Sequence, residues 1–177
     1  NYLNIHSDKD AIFTNGAGNF AIWSGKYLNY SKEHRLLAPQ AGAMGAGVPA
    51  ALAAKSIFPN RQVICFAGDG DFQMSASELG TAMQEGLNPI ILIHNNGSYG
   101  TIRMHQEMRY PKRVSGTNLK NPNFKCIAEA YNFGYSKITN LSEFKVAFEK
   151  AKTSDVGFII EMLADIKDIS PGKIIDL

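Results

Sequence analysis

Long apolar runs are missing from this chain: no uninterrupted stretch reaches the roughly 20 residues that a membrane-spanning helix needs. No secretory leader is visible either, with no basic segment before an apolar core at the start of the sequence. Cysteine is scarce, with only Cys65 and Cys126. They stand far apart, and neither has a neighbour at zinc-ligand spacing, so nothing suggests a disulfide framework. Cys65 lies inside an apolar run and reads as a buried free thiol. An excess of one charge is missing too: 18 basic residues against 16 acidic ones leave a formal +2. That balance gives no footing for nucleic acid or an anionic membrane. A reducing, cytoplasmic setting is the expectation.

What remains is the profile of a single packed domain. Hydrophobic residues make up 45% of 177 positions and charged residues 19%, enough for one core and too short for two ordinary domains. The chain starts Asn-Tyr-Leu-Asn without an initiator Met, and reads as a piece of a longer protein.

Two continuous apolar runs, Gln62–Ala67 and Pro89–His94, have the look of strands buried on both faces. Ala11–Thr14, Gly134–Ile138 and Gly157–Leu163 are further strand candidates. Between them fall segments of helical period: Phe20–Leu28, a Gly/Ala-rich stretch over Ala41–Ser56, Phe72–Leu87, Asn123–Tyr131 and Ser142–Lys152. Gly86 suits the close of the third, and Ser142 with Glu143 the start of the last. Strands alternating with helices in this way predict an α/β fold of three layers, a mostly parallel central sheet with helices on both faces. Gly116–Pro122 is the one long polar stretch, expected to be a loop and a candidate for mobility.

In such sheets ligands bind beyond the carboxyl ends of the strands, near the point where strand order reverses. Three glycine turns follow apolar strands: Gly16-Ala17-Gly18, Gly68-Asp69-Gly70 and Asn95-Asn96-Gly97-Ser98-Tyr99-Gly100. Asp69 offers a carboxylate and Asn96 an amide oxygen, from strands that can be neighbours. A hard cation such as Mg²⁺ takes oxygen ligands in near-octahedral geometry, often completed by phosphate and water. Asp69, Asn96 and a backbone carbonyl of the Asn96–Tyr99 turn would supply three. Gly68 and Gly70 allow close approach of the backbone, and helix-start amides after Asp69 would meet phosphate oxygens. Alone, Gly-Asp-Gly and Asn-Asn-Gly are ordinary turn sequences. Their combination across two buried strands, 27 positions from Asp69 to Asn96, is far more specific.

The segment Gly68–Asn96 resembles the thiamine diphosphate motif, Gly-Asp-Gly followed at this distance by Asn-Asn. From about Ala11 to Leu163 the chain is similar to the C-terminal cofactor domain of the group containing acetolactate synthase, benzoylformate decarboxylase and pyruvate decarboxylase. Gly42-Ala43-Met44-Gly45-Ala46-Gly47-Val48-Pro49-Ala50-Ala51 matches that group's Gly-x-Met-Gly-x-Gly-x-Pro-Ala-Ala segment. Gly16-Ala17-Gly18-Asn19-Phe20 with Trp23 matches a diphosphate-contacting loop. The resemblance implies Mg²⁺ held by Asp69, Asn96 and the Ser98 carbonyl. It implies a diphosphate cradled by Gly68, Gly70 and Asp71 with help from Asn19. Phe20 stands where acetolactate synthases commonly carry His. Met44 would support the bent cofactor, Gly42 and Met44 would offer backbone contacts to the pyrimidine, and Tyr99, Gly100, Thr101 and Ile102 would line the other side.

The same resemblance implies a 2-oxo-acid substrate, with no catalytic residue in this chain. The activating glutamate is expected on an upstream pyrimidine-binding domain contributed by another subunit of a homodimer or homotetramer. Acetolactate synthase is the leading branch. His105 stands where that branch places Trp, which keeps a benzoylformate- or pyruvate-type decarboxylase, or the small subunit of a split decarboxylase, as alternatives. A nucleotide-binding module built on the first glycine turn is the non-enzymatic alternative. His94 reads as a packing residue, and Glu78 as a paired structural carboxylate.

Overall fold

The computed structural model describes residues 1–174. After a short helix α1 (Tyr2–His6), the chain runs β1 (Ile12–Asn15), α2 (Phe20–Tyr27), β2 (Arg35–Leu37), α3 (Gly47–Ile57) and β3 (Val63–Gly68). It continues through α4 (Asp69–Gln73), a 3₁₀ turn at Ala76–Glu78, α5 (Leu79–Glu85), β4 (Ile90–Asn95), α6 (Gly100–Arg109) and α7 (Phe124–Ala130). The remainder is β5 (Gly134–Ile138), α8 (Leu141–Lys152), β6 (Phe158–Leu163) and a small antiparallel hairpin, β7 (Asp168–Ser170) with β8 (Lys173–Ile174).

The first six strands form one sheet in the order β2-β1-β3-β4-β6-β5, every pairing parallel. Side chains alternate across a strand, so each buried strand feeds two cores. Ile12, Val63, Cys65, Ile91, Ile93 and Ile159 pack on one face with α3, α5 and α7 through Val48, Leu52, Leu79 and Phe124. Phe13, Ile64, Ile90, Leu92, Phe158 and Ile160 face the other way, against Phe144, Ala147 and Phe148 of α8. This is the expected three-layer α/β architecture. Cys65 is fully buried, and burial pushes its thiol up to about 12.

Several local expectations needed correction. The Phe72–Leu87 helix is two helices, because Ser75 leaves helical geometry (φ −136°) and lets Leu79 and Ala82 turn into the core. In place of one helix from Ala41, a loop with left-handed Gly42 and Gly45 precedes α3. Asn140, two residues before Ser142, caps α8 by accepting from the Glu143 amide at 3.0 Å. Glu78 is half-buried and accepts from Thr81 Oγ1 at 3.1 Å, with no basic partner among the described residues. β2, α1 and the β7–β8 hairpin carried no periodic signal: β2 and β7 have three residues each and α1 only five.

The start of α3 shows why the Gly/Ala stretch is so poor in side chains. Thr14 Oγ1 donates to the Gly47 carbonyl at 2.9 Å. A Cβ on Gly47 would fall 2.7 Å from the Gly16 amide nitrogen and 3.0 Å from the Asn15 carbonyl carbon, both backbone. Gly47→Ala therefore has to move α3 off β1. Overpacking of this kind costs ~1–3 kcal/mol, partly offset by the helix preference for Ala. The expected result is a melting temperature lower by ~2–8 °C in calorimetry. An unchanged melting temperature would show that the contact is soft.

Candidate functional site

β1, β3 and β4 end side by side, with β1 paired to β3 and β3 to β4. From β1 the chain moves outward to β2, then returns across it to β3, so strand order reverses between β1 and β3. The three glycine turns cap these strand ends and enclose a cleft. Of the residues singled out in the sequence, Asn19, Phe20, Met44, Gly68, Asp69, Gly70, Asp71, Asn96, Ser98, Tyr99, Gly100 and Thr101 line it. Two lie outside it. Gly42 sits in open space in the loop before α3, and Ile102 is half exposed, one helical step of about 100° beyond Thr101 on α6.

Asp69 follows β3 directly and is only 2% exposed. Its Oδ2 accepts from the Gly97 amide at 2.9 Å and from Asn121 Nδ2 at 2.7 Å. No donor reaches Oδ1 among the described residues. Asn96 Oδ1 accepts from the Ser98 amide at 3.1 Å, closing a tight turn in which Gly97 takes φ +66°. The Ser98 carbonyl accepts from Gly100 at 2.9 Å. A side chain on Gly70 would collide with the Tyr99 ring, since its Cβ would lie 2.5 Å from the ring edge.

Asp71 also ties the frame together: its Oδ1 accepts from Gly45 at 2.8 Å and from Ala17 at 3.2 Å, joining two glycine loops. Burial raises its pKa, opposed by these backbone amides. The carboxylate also fills the space above Gly16, where a Cβ would collide with it. Asn19 likewise serves the frame: its amide donates to Thr101 Oγ1 at 2.9 Å, linking the first turn to α6.

The polar stretch Gly116–Pro122 is held against the third turn. Tyr99 donates to the Thr117 carbonyl at 2.9 Å, Leu119 to the Gly97 carbonyl at 2.8 Å, and Ser98 Oγ to Thr117 at 2.9 Å. Asn121, absent from the sequence-based candidates, is the residue that reaches Asp69. Asn121 and Asp69 are 52 positions apart, and no local pattern marks their pairing. His94, Ile166 and Asp168 also line the cleft. Burial holds the His94 imidazole below its ordinary value, opposed chiefly by Asp69. Among the described residues, no group of three or more His, Cys, Asp or Glu is placed to hold a metal. Any cation here must lean on amide and carbonyl oxygens beside Asp69.

A cleft at these strand ends, walled by Gly-Asp-Gly and Asn-Asn turns, defines a cofactor-binding domain of known type. The family model described as thiamine pyrophosphate enzyme, C-terminal TPP binding domain, matches residues 16–162, and the chain belongs to that family. Within it, the chain is similar to acetolactate synthase large subunits. It is 36% identical over 149 residues to that of Corynebacterium glutamicum, covering 81% of this chain and 24% of the relative. It is 30% identical over 165 residues to isozyme 2 of Escherichia coli K12, covering 92% and 30%. It also superimposes on a thiamine diphosphate-dependent 4-hydroxybenzoylformate decarboxylase of Rhodococcus jostii RHA1. There the TM-score is 0.83 at 28% identity, covering 92% of this chain and 31% of that one. The chain thus spans about a quarter to a third of the relatives it matches. No helix among the described residues is long and apolar enough to cross a membrane.

Proposed function

We propose that this chain is the diphosphate- and Mg²⁺-binding part of a larger 2-oxo-acid carboligase of the acetolactate synthase type. The observation that carries the reading is the convergence of Asp69 and Asn96 at the ends of two paired strands, with Asp69 Oδ1 left without a protein donor. The donor set fits a hard divalent cation: a carboxylate, an amide oxygen and the Ser98 carbonyl, all oxygen and none soft. Gly68 and Gly70 let the Phe20 and Tyr99 rings pack directly on the backbone at the cleft floor, and the first amides of α4 have no intrahelical acceptor, which suits a diphosphate.

When bound, thiamine diphosphate supplies the nucleophilic carbon and the electron sink for decarboxylating a 2-oxo acid. The chain's residues do the holding. Asp69 and Asn96 fix the cation and through it the diphosphate, Met44 supports the middle of the cofactor, and Tyr99 with Thr101 closes one wall. The activating glutamate lies on an upstream pyrimidine-binding domain of another subunit, so the isolated chain is catalytically silent. A simple decarboxylase is the second reading. It is favoured by His105, exposed on α6 where acetolactate synthases carry Trp, and by the likeness to a benzoylformate-type enzyme.

The test uses the full-length protein. Thiamine diphosphate should quench Trp23 and tyrosine fluorescence only when Mg²⁺ is present, and NAD should not. Acetolactate from pyruvate supports the carboligase reading, and acetaldehyde alone replaces it with the decarboxylase. A quench that ignores Mg²⁺ defeats the metal assignment.

A further inference from the structure

The buried carboxylate of Glu161 takes no part in the cleft, yet a continuous run of side-chain hydrogen bonds joins it to Asp69. Glu161 sits on β6, in register with Ile93 of β4 on one side and Lys137 of β5 on the other. It is only 4% exposed in a strand of otherwise apolar buried residues. Charge in such a place is retained only when donors surround it. Tyr135 donates its hydroxyl to Oε2, Asn95 Nδ2 donates to Oε1 at 2.7 Å, and Lys137 Nζ lies 3.6 Å from Oε1. Burial, then the bond to Glu161, pushes the Tyr135 phenol well above its ordinary range, so it stays a donor.

The direction of the run follows from the chemistry of its ends. An ionised carboxylate accepts and never donates. Glu161 therefore commits Asn95 to presenting its nitrogen, and the Asn95 oxygen must face the other way. That oxygen accepts from the Gly97 amide at 3.2 Å and from Asn121 Nδ2 at 2.9 Å. Asn121 Nδ2 also donates to Asp69 Oδ2 at 2.7 Å, and the Asn121 oxygen accepts from Gln73 Nε2 at 2.9 Å. Each amide thus has one workable orientation. The result is that Asp69 spends Oδ2 on protein donors and leaves Oδ1 without one among the described residues, while Gly97 is held in the tight turn between Asn96 and Ser98.

We propose that Glu161 is a positioning residue for the cation site, acting through Asn95 and Asn121 to fix the rotamer of Asp69 and the Asn96–Ser98 turn. The inference rests on the Mg²⁺ reading above. A neutral amide at position 161 can flip, and once flipped it offers Asn95 a donor in place of an acceptor. The Asn95 and Asn121 amides then lose their enforced direction, and Asp69 its fixed aim.

The experiment is a Mg²⁺ titration of the full-length protein at saturating thiamine diphosphate, read by fluorescence quenching. Glu161→Gln should raise the half-saturating Mg²⁺ concentration ~10-fold or more, the usual effect of losing an outer partner of a metal ligand. At saturating Mg²⁺ its kcat should stay within about threefold of wild type, because the site, once filled, is the same. A purely structural role for Glu161 would lower the melting temperature and leave the Mg²⁺ midpoint where it was, which overturns the proposal. Asn95→Ala cuts the run at its middle and should raise the midpoint similarly; should Glu161→Gln fail to fold, a wild-type midpoint in Asn95→Ala overturns the proposal instead. Asp69→Ala separates the two levels. If it binds cofactor with an unchanged Mg²⁺ requirement, the metal reading itself fails; if it loses the response while both other variants match wild type, only the role of Glu161 fails.

Discussion

Asp69→Ala is expected to abolish Mg²⁺-dependent binding of thiamine diphosphate, with affinity falling by more than ~100-fold, beyond the range seen when only an outer partner is lost. The size of the effect follows from the composition of the site. Asp69 is the one anionic oxygen donor in the proposed ligand set, and Asn96 and the Ser98 carbonyl are neutral. The fold should survive the change. The substitution removes one of the two acceptors shared by the Gly97 amide and Asn121 Nδ2, and the Asn95 oxygen still accepts from both, so the cost stays below the ~1–3 kcal/mol of a donor buried without an acceptor. Asp69→Asn keeps the volume and should lose the cation with a smaller drop in melting temperature. Isothermal titration of thiamine diphosphate with and without Mg²⁺ is the measurement. Tight Mg²⁺-dependent binding by Asp69→Ala would remove the basis of the functional reading.

Asp71→Ala should damage the site by another route, through stability. Its carboxylate is the shared acceptor for Ala17 and Gly45, which belong to two loops that no strand pairing joins. Losing it leaves two part-buried amides without that acceptor, a cost of up to ~2–5 kcal/mol, and should lower the melting temperature by up to ~5–15 °C. A pH signature distinguishes this carboxylate from the rest. Burial raises its folded pKa above the unfolded value. Between the two, the folded state holds a proton that the unfolded state has released. The contribution of Asp71 to stability is therefore greatest below the ordinary carboxylate range and declines as pH rises through the folded pKa. Stability differences between wild type and Asp71→Asn, measured by denaturant unfolding across pH 3–8, should shrink as pH rises. A difference that grows with pH would contradict the burial argument.

Both predictions concern residues visible in the same six-residue stretch, and the sequence treated them as one motif. Position 69 was legible as part of the cleft because a carboxylate between two glycines at a strand end has few other uses when Asn-Asn ends the next buried strand. Position 71 was legible only as a neighbour. Whether its side chain turns to the cleft or to the backbone depends on where Gly45 and Ala17 arrive. They lie 26 and 54 positions away in sequence. The same limit hid Asn121, which looked like part of a free polar loop until that loop was found hydrogen-bonded to the turn after β4.

Helices and strands followed a related rule. The buried strands and the helices of α7 and α8 were readable because periodicity is local and each covers several residues with one pattern. Ser75 broke an apparently continuous helix because the core on the α3 side demanded a turn there, and tertiary packing outweighs intrinsic propensity.

By itself, the sequence determined the α/β architecture, the two paired strands that end at Asp69 and Asn96, and the family to which the chain belongs. Each of these is written in short-range pattern and spacing. Only the tertiary structure decided which oxygens remain available at those strand ends. Hydrogen-bond acceptors are shared out among donors from distant parts of the chain, and that sharing leaves Asp69 Oδ1 without a protein donor among the described residues while Asp71 Oδ1 takes two backbone amides. Glu161, nearly a hundred positions from Asp69, enters the account for the same physical reason.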